Sequence, residues 1–184
     1  MFTRIAAAAA VSIGIAALSI APAAAASSTS TVTVAVTAST QATIGATYSS
    51  GTNIACAVGT SVSGLVPCAT TVTLAGTFRS TKSTGGASVS LTGATISGSG
   101  GATIAPSALE MTCTGGLTGS PAYAGTAGTL ATGAALSSSA TTCMSWTGTV
   151  VSAYSLLLSL SIDSSQVPAD TYTNGSFTAT ATAS

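Results

Sequence analysis

Thr31-Val32-Thr33-Val34-Ala35-Val36-Thr37 alternates between two kinds of side chain without a break. Successive side chains of an extended strand point to opposite faces, so Val32, Val34 and Val36 share one face and the threonines share the other. A helix, with a period of about 3.6 residues, would scatter the same valines around its axis. The heptapeptide therefore predicts a half-buried β-strand. The same period returns in Val72-Thr73-Leu74-Ala75-Gly76-Thr77-Phe78, with Val72, Leu74 and Phe78 inward, and more briefly at Val89 and Leu91. Leu109, Met111 and Cys113 line another strand, and Leu156, Leu158, Leu160 and Ile162 form the longest inward stripe. Phe177, Ala179, Ala181 and Ala183 alternate with Thr178, Thr180 and Thr182. Helical periodicity is missing, and the strong helix formers Glu, Lys, Gln and Arg are scarce.

Glycine-rich stretches punctuate these runs. Ser83-Thr84-Gly85-Gly86, Gly98-Ser99-Gly100-Gly101 and Thr114-Gly115-Gly116 supply the positive-φ positions that hairpin tips need. Short strands joined by such turns, with no helical interludes, predict an all-β fold, specifically an immunoglobulin-like antiparallel β-sandwich. Residues 115–139 show the least regular pattern and are expected to form a long loop. No fixed-period repeat runs through the Thr, Ala and Gly, which argues against a β-solenoid.

The first residues address compartment. Met1-Phe2-Thr3-Arg4 carries one positive charge, an uncharged run from Ile5 to Ile20 follows, and Pro22 leads into Ala23-Ala24-Ala25-Ala26. That order of segments reads as a signal peptide over residues 1–26, with cleavage after Ala24 or Ala25 also compatible. The run is shorter than the ~20 residues a spanning helix requires, so the protein is expected to be exported and not membrane-spanning. Residues 27–184 then make one domain, working outside the cell or on its surface, with a periplasm in transit if the cell is Gram-negative. Charged residues make up only 3% of the chain, against about 25% in most globular domains. Past the signal, Arg79 and Lys82 face Glu110, Asp163 and Asp170. Such a chain has no electrostatic footprint for nucleic acid or for an anionic membrane surface.

Cys56, Cys68, Cys113 and Cys143 are the only cysteines. An even number in an exported chain reads as two disulfides. Three pairings are open; Cys56–Cys68 with Cys113–Cys143 is favoured, because each bond closes a local segment and the two do not cross. Histidine is absent, as is any C-x-x-C spacing, so zinc and other cofactors are not expected.

The same absence removes Ser-His-Asp and Cys-His nucleophile activation. A carboxylate pair is the remaining route. Asp170 lies in a Pro-containing loop and Asp163 at a strand end, where turn capping is the commoner fate. Glu110, between Leu109 and Met111, should point outward. No catalytic set emerges, and the chain is not expected to be an enzyme. Trp146, the only tryptophan, is expected to pack on the nearby disulfide inside the sandwich. Tyr123 is the best candidate for an exposed contact. Asn174-Gly175-Ser176 matches a glycosylation sequon but reads as backbone geometry, a turn or a bulge.

Two ends of the chain past the signal carry a family resemblance. The segment Val167-Pro168-Ala169-Asp170-Thr171-Tyr172-Thr173-Asn174-Gly175-Ser176-Phe177-Thr178-Ala179-Thr180-Ala181 resembles the closing motif of bacterial fimbrial subunits of the spore coat protein U type, the archaic chaperone–usher pilins. Pro168, Ala169, Thr171 and Tyr172 match, and Asp170 stands where that motif has Gly. Ser27 to Ala38 resembles their donor strand, with Val32, Val34 and Val36 as its inserting side chains. The resemblance implies a sandwich completed by donor-strand exchange, a neighbour's extension adding the missing strand. It also implies other copies of the chain as partners in a fibre, with a periplasmic chaperone and an usher. The alternative is a self-contained secreted or cell-wall-associated immunoglobulin-like binding module, with residues 27–38 as the first strand of a complete sandwich.

Overall fold

The computed structural model describes residues 28–38, 41–58 and 64–184. The expected signal peptide, residues 1–26, lies outside the described residues. The strands are β1 (Ser28–Ala38), β2 (Gly45–Tyr48), β3 (Ile54–Val58), β4 (Leu65–Pro67), β5 (Val72–Ser80) and β6 (Gly86–Gly93). There follow β7 (Ile96–Gly98), β8 (Thr103–Ile104), β9 (Leu109–Ala127), β10 (Ala134–Ala135), β11 (Thr141–Asp163) and β12 (Tyr172–Ala183). Two short 3-10 turns, Pro106–Ala108 and Ser164–Gln166, are the only helical pieces among the described residues. The fold is all-β, as the alternating pattern requires.

One strand organises the rest. β11 pairs antiparallel with β6 through Thr141–Thr147 and with β5 through Val150–Leu158. It changes partner where its register against β9 shifts, between Thr147 and Val150. Gly148, at φ 86°, supplies the bend there. From β11 the sheet runs outward as β6, β12, β1 and β3. β3 then meets β4 through the Cys56–Cys68 bond and a hydrogen bond from Ala69 N–H to the Ala55 carbonyl. β4 returns to β11 at Ser161–Asp163. The arrangement is barrel-like, a ring of strands closed by one bent member.

The inward stripes form a single core. Val72, Leu74, Phe78, Val89, Leu91, Leu109, Met111, Leu156, Leu158, Leu160, Ile162, Phe177, Ala179 and Ala181 are all buried, as the alternation predicts. Trp146 is buried too, but its ring neighbours are aromatic: Phe78 at 5.3 Å and Tyr154 at 6.4 Å between centroids. Phe78 and Tyr154 stack at 4.3 Å. The favoured disulfide pairing is the one present, Cys56–Cys68 and Cys113–Cys143. Two disulfides fit an oxidising compartment.

Three expectations need correction. Residues 115–139 are not one long loop: Gly115 to Ala127 continue β9 and pair with β11 as far as Ala127. Period two is invisible there because both faces of this half-strand meet solvent, so no apolar alternation is selected. Thr114-Gly115-Gly116 is accordingly mid-strand rather than a hairpin tip, although Gly115 does adopt φ 113°. Nor is the sheet wholly antiparallel, since β1 runs parallel to β12 from Val32↔Gly175 to Ala38↔Ala181. Alternation fixes which face a side chain takes and leaves the direction of its neighbour open.

Candidate assembly site

β1 lies in a slot between β12 and β3. Its first half pairs antiparallel with β3, from Ser28↔Val58 to Val32↔Ile54. Its second half pairs parallel with β12. Val32 is where the two registers meet, so both walls of the slot touch this one residue.

The inner face is apolar, as the threonine–valine alternation requires. Val32 and Val34 are buried, among a core that includes Ile54, Val58, Ile96 and Phe177. Thr33 and Ala35 are exposed. Val36 pairs through its backbone with Ala179, and its side chain lies outside the described residues. Burying two valines stabilises by roughly 1.5–3 kcal/mol each.

Specific residues shape the slot's floor and walls. A Cβ on Gly175 would come within 2.9 Å of Ile96 Cδ1 and 3.1 Å of Val32 Cγ2, so glycine lets β1 approach closely here. The register against β7 shifts between Tyr172 and Asn174, just before that glycine. The sequon therefore coincides with a bulge, as its reading as backbone geometry anticipates. On the other side, Tyr48 turns its hydroxyl to accept the Val34 N–H at 2.9 Å, and the Thr33 hydroxyl donates to Asn53 Oδ1 at 3.2 Å. The Cys56–Cys68 bond anchors β3, whose Cys56 stands opposite Ser30 of β1.

The motif that carries the family resemblance has its own geometry. Tyr172 is buried and donates its hydroxyl to the Pro168 carbonyl, four residues upstream, at 2.9 Å. This is the bond of a tyrosine corner, a feature of Greek-key sandwiches. Burial, and then the charge of Asp170, push the Tyr172 phenol up. The Asp170 carboxylate accepts from the N–H groups of Gly100, Ala102 and Thr171, and from the Ser99 hydroxyl. It thus fastens the β7–β8 hairpin to the start of β12. Bonds from the Gly100 and Thr171 amides hold its carboxyl below the usual carboxylate value.

The other carboxylates are engaged locally. Asp163 accepts from the Ser165 N–H, the Ser165 hydroxyl and the Gln166 amide, chiefly the last, which lowers its pKa and caps the 3-10 turn. Glu110 is half-buried on β9, between Ser161 of β11 and Ala135 of β10. Tyr123 is 60% exposed on the outer half of β9, as expected of a surface contact. Among the described residues no cluster of three or more His, Cys, Asp or Glu could hold a metal ion, and no helix is long and apolar enough to cross a membrane. No protein-family profile, curated protein or solved structure matches this chain.

Proposed function

We propose that the chain is a structural subunit of an extracellular pilus or surface fibre, assembled by β-strand addition. In the fibre, β1 of one copy occupies the slot between β3 and β12 of the next. One observation carries the reading. A strand at the amino-terminal end of the described chain pairs with β3 through its first half and with β12 through its second, with Val32 and Val34 facing the core. Nothing else among the described strands joins β12 to β3, so a vacated slot exposes two strand edges and an apolar floor. Such edges bind whichever matching strand arrives, and an identical strand from a neighbour matches by construction.

The motif resemblance supports the same reading and adds export through a periplasm, with a chaperone holding the slot and an usher ordering the exchange. The nearly charge-free chain has little electrostatic resistance to packing with its own copies. Catalysis is no part of the proposal.

A second reading is favoured by one specific fact, that β1 is seated in its own chain. That suits a self-contained secreted module. An open cleft lined by Thr77, Arg79, Ser120, Ala122 and Ser152 would then be the place for a ligand.

Sedimentation of residues 27–184 and of the same chain lacking 27–38 separates the two. The fibre reading expects polymers from the first, and from the second a folded species that cannot polymerise and whose open slot takes up a synthetic 27–38 peptide. Unchanged assembly without β1 overturns it, and an inert monomer of the longer chain points to the module.

A further inference from the structure

Arg79 is the only arginine among the described residues, and its guanidinium makes no hydrogen bond or ion pair with any of them. The carboxylates lie elsewhere. Asp163 and Asp170 are held in their own turns, and Glu110 stands opposite Ser161, well down β11 from the Val151 that faces Arg79. An unpaired guanidinium fork on a surface almost empty of charge is matched to a planar carboxylate, which it binds through two parallel hydrogen bonds.

The surroundings of Arg79 narrow the ligand further. Backbone pairing sets Arg79 of β5, Val151 of β11 and Tyr123 of β9 in one cross-strand row. Directly paired residues share a face of the sheet. Arg79 and Tyr123 are exposed, with Val151 half-buried between them. Neighbouring strands lie about 4.8 Å apart, so the arginine and the tyrosine bracket an apolar strip about 10 Å wide.

One side of that strip is walled. The register jumps from Val151↔Tyr123 to Ala153↔Thr118, which leaves residues 119–122 opposite Ser152 alone. Gly119, at φ 75°, permits the excursion. The result is a cleft of about 370 Å³ whose lining includes Arg79, Val151, Ser120 and Thr77, a size within the range of small-molecule sites. The Ser120 hydroxyl has no partner among the described residues, and Thr77 brings a second hydroxyl from β5.

We infer that this cleft binds an acidic saccharide, a sugar unit that carries a carboxylate. Arg79 holds the carboxylate, Val151 and the exposed Tyr123 ring take the apolar C–H face of the sugar, and Ser120 and Thr77 meet its hydroxyls. A nucleic acid or an anionic membrane needs several cations in one patch, and Arg79 is the only cation lining the cleft. An acyl chain needs an enclosed apolar cavity, whereas this floor ends in hydroxyls. The inference rests on the cleft named above for the self-contained module and supplies its ligand. Its lining belongs to β5, β9 and β11 and not to β1, so binding is read separately from strand exchange.

Calorimetric titration of residues 27–184 with trigalacturonate, with its fully methyl-esterified form and with inorganic phosphate is the test. The ester, which lacks the charge, should bind on the order of tenfold more weakly than the acid. Arg79→Gln should weaken the acid by a similar factor and leave the ester unchanged, while Tyr123→Ala should weaken both. Lys82→Gln, outside the cleft, should alter neither. Both cleft variants replace exposed side chains and should unfold at the parent's temperature. Failure of trigalacturonate to bind, equal binding of acid and ester, or an equal loss from Lys82→Gln would overturn the inference. Phosphate that binds as tightly as trigalacturonate, with no effect of Tyr123→Ala, would reduce the cleft to a simple anion site and overturn it too.

Discussion

β1 and the outer half of β9 are both extended, both uncharged and both rich in threonine and alanine or glycine, yet the fold treats them oppositely. β1 pairs with β3 through its first half and with β12 through its second, and it puts Val32 and Val34 into the core. The outer half of β9 is paired along one edge only, and most of its side chains from Thr114 to Ala127 meet solvent. The pair teaches that strand propensity alone decides little here. What distinguishes a stave of the barrel from a free edge is whether alternate side chains have somewhere apolar to go.

The sharpest way to break the comparison is a charge on each strand. Val34→Asp buries a carboxylate with no partner and should cost more than about 4 kcal/mol, enough to abolish a cooperative thermal transition near its usual temperature. Opening the root of β9 comes next. Replacing Cys113 and Cys143 by serine frees a segment with a sequence separation of 30 residues and should lower stability by roughly 3–4 kcal/mol in denaturant titration. Tyr48→Phe removes the acceptor of the Val34 N–H and should cost about 1–2 kcal/mol by the same measurement, leaving an amide in the slot unsatisfied.

A smaller effect appears only in acid. The Asp170 and Asp163 carboxyls lie below the ordinary carboxylate value in the folded chain, so the unfolded chain takes up protons first. Their contribution is whole above about pH 4 and disappears as the pH falls through the lower folded values. Asp170→Asn should flatten the acid limb of a stability–pH curve and loosen the β7–β8 hairpin in hydrogen exchange. An unchanged acid limb would assign it to other groups. Smallest of all, Thr118→Asp on the open edge should change stability by no more than about 0.5 kcal/mol. A cost near that of Val34→Asp would erase the distinction between the two regions.

Much of the barrel is readable from residues alone. The stripe Leu156, Leu158, Leu160 and Ile162 announces its own strand, and Cys113, in phase with Leu109 and Met111, announces a buried sulfur. The outer half of β9 is not readable, because a strand with both faces wet leaves no alternation behind. Parallel pairing of β1 with β12 escapes for a different reason: a period-two pattern carries face and not direction. Asp170 lies between these cases. Its turn-capping role follows from its place beside Pro168, but the turn it caps belongs to Gly100 and Ala102, far along the chain, and only the fold brings them together.

The assembly slot shows the same division. Val32 and Val34 could be picked out as inserting side chains, whereas Gly175 beneath Val32 and Tyr48 beside Val34 carried no local sign of their part. Tyr172 was visible within a motif, and its bond to the Pro168 carbonyl gives that motif a physical reason.

Strand exchange has one direct test. Ala35 of β1 and Thr178 of β12 are register partners on the outer face, with Cα atoms of neighbouring strands about 4.8 Å apart, within reach of a disulfide. Chains carrying only Ala35→Cys and chains carrying only Thr178→Cys are mixed, assembled and oxidised, and the products are separated without reductant. If β1 of one copy fills the slot of another, the two kinds of chain become covalently joined through residues 35 and 178 in the assembled fraction. If that bond forms only when both cysteines are placed in one chain, β1 never leaves its own barrel and the fibre account is wrong.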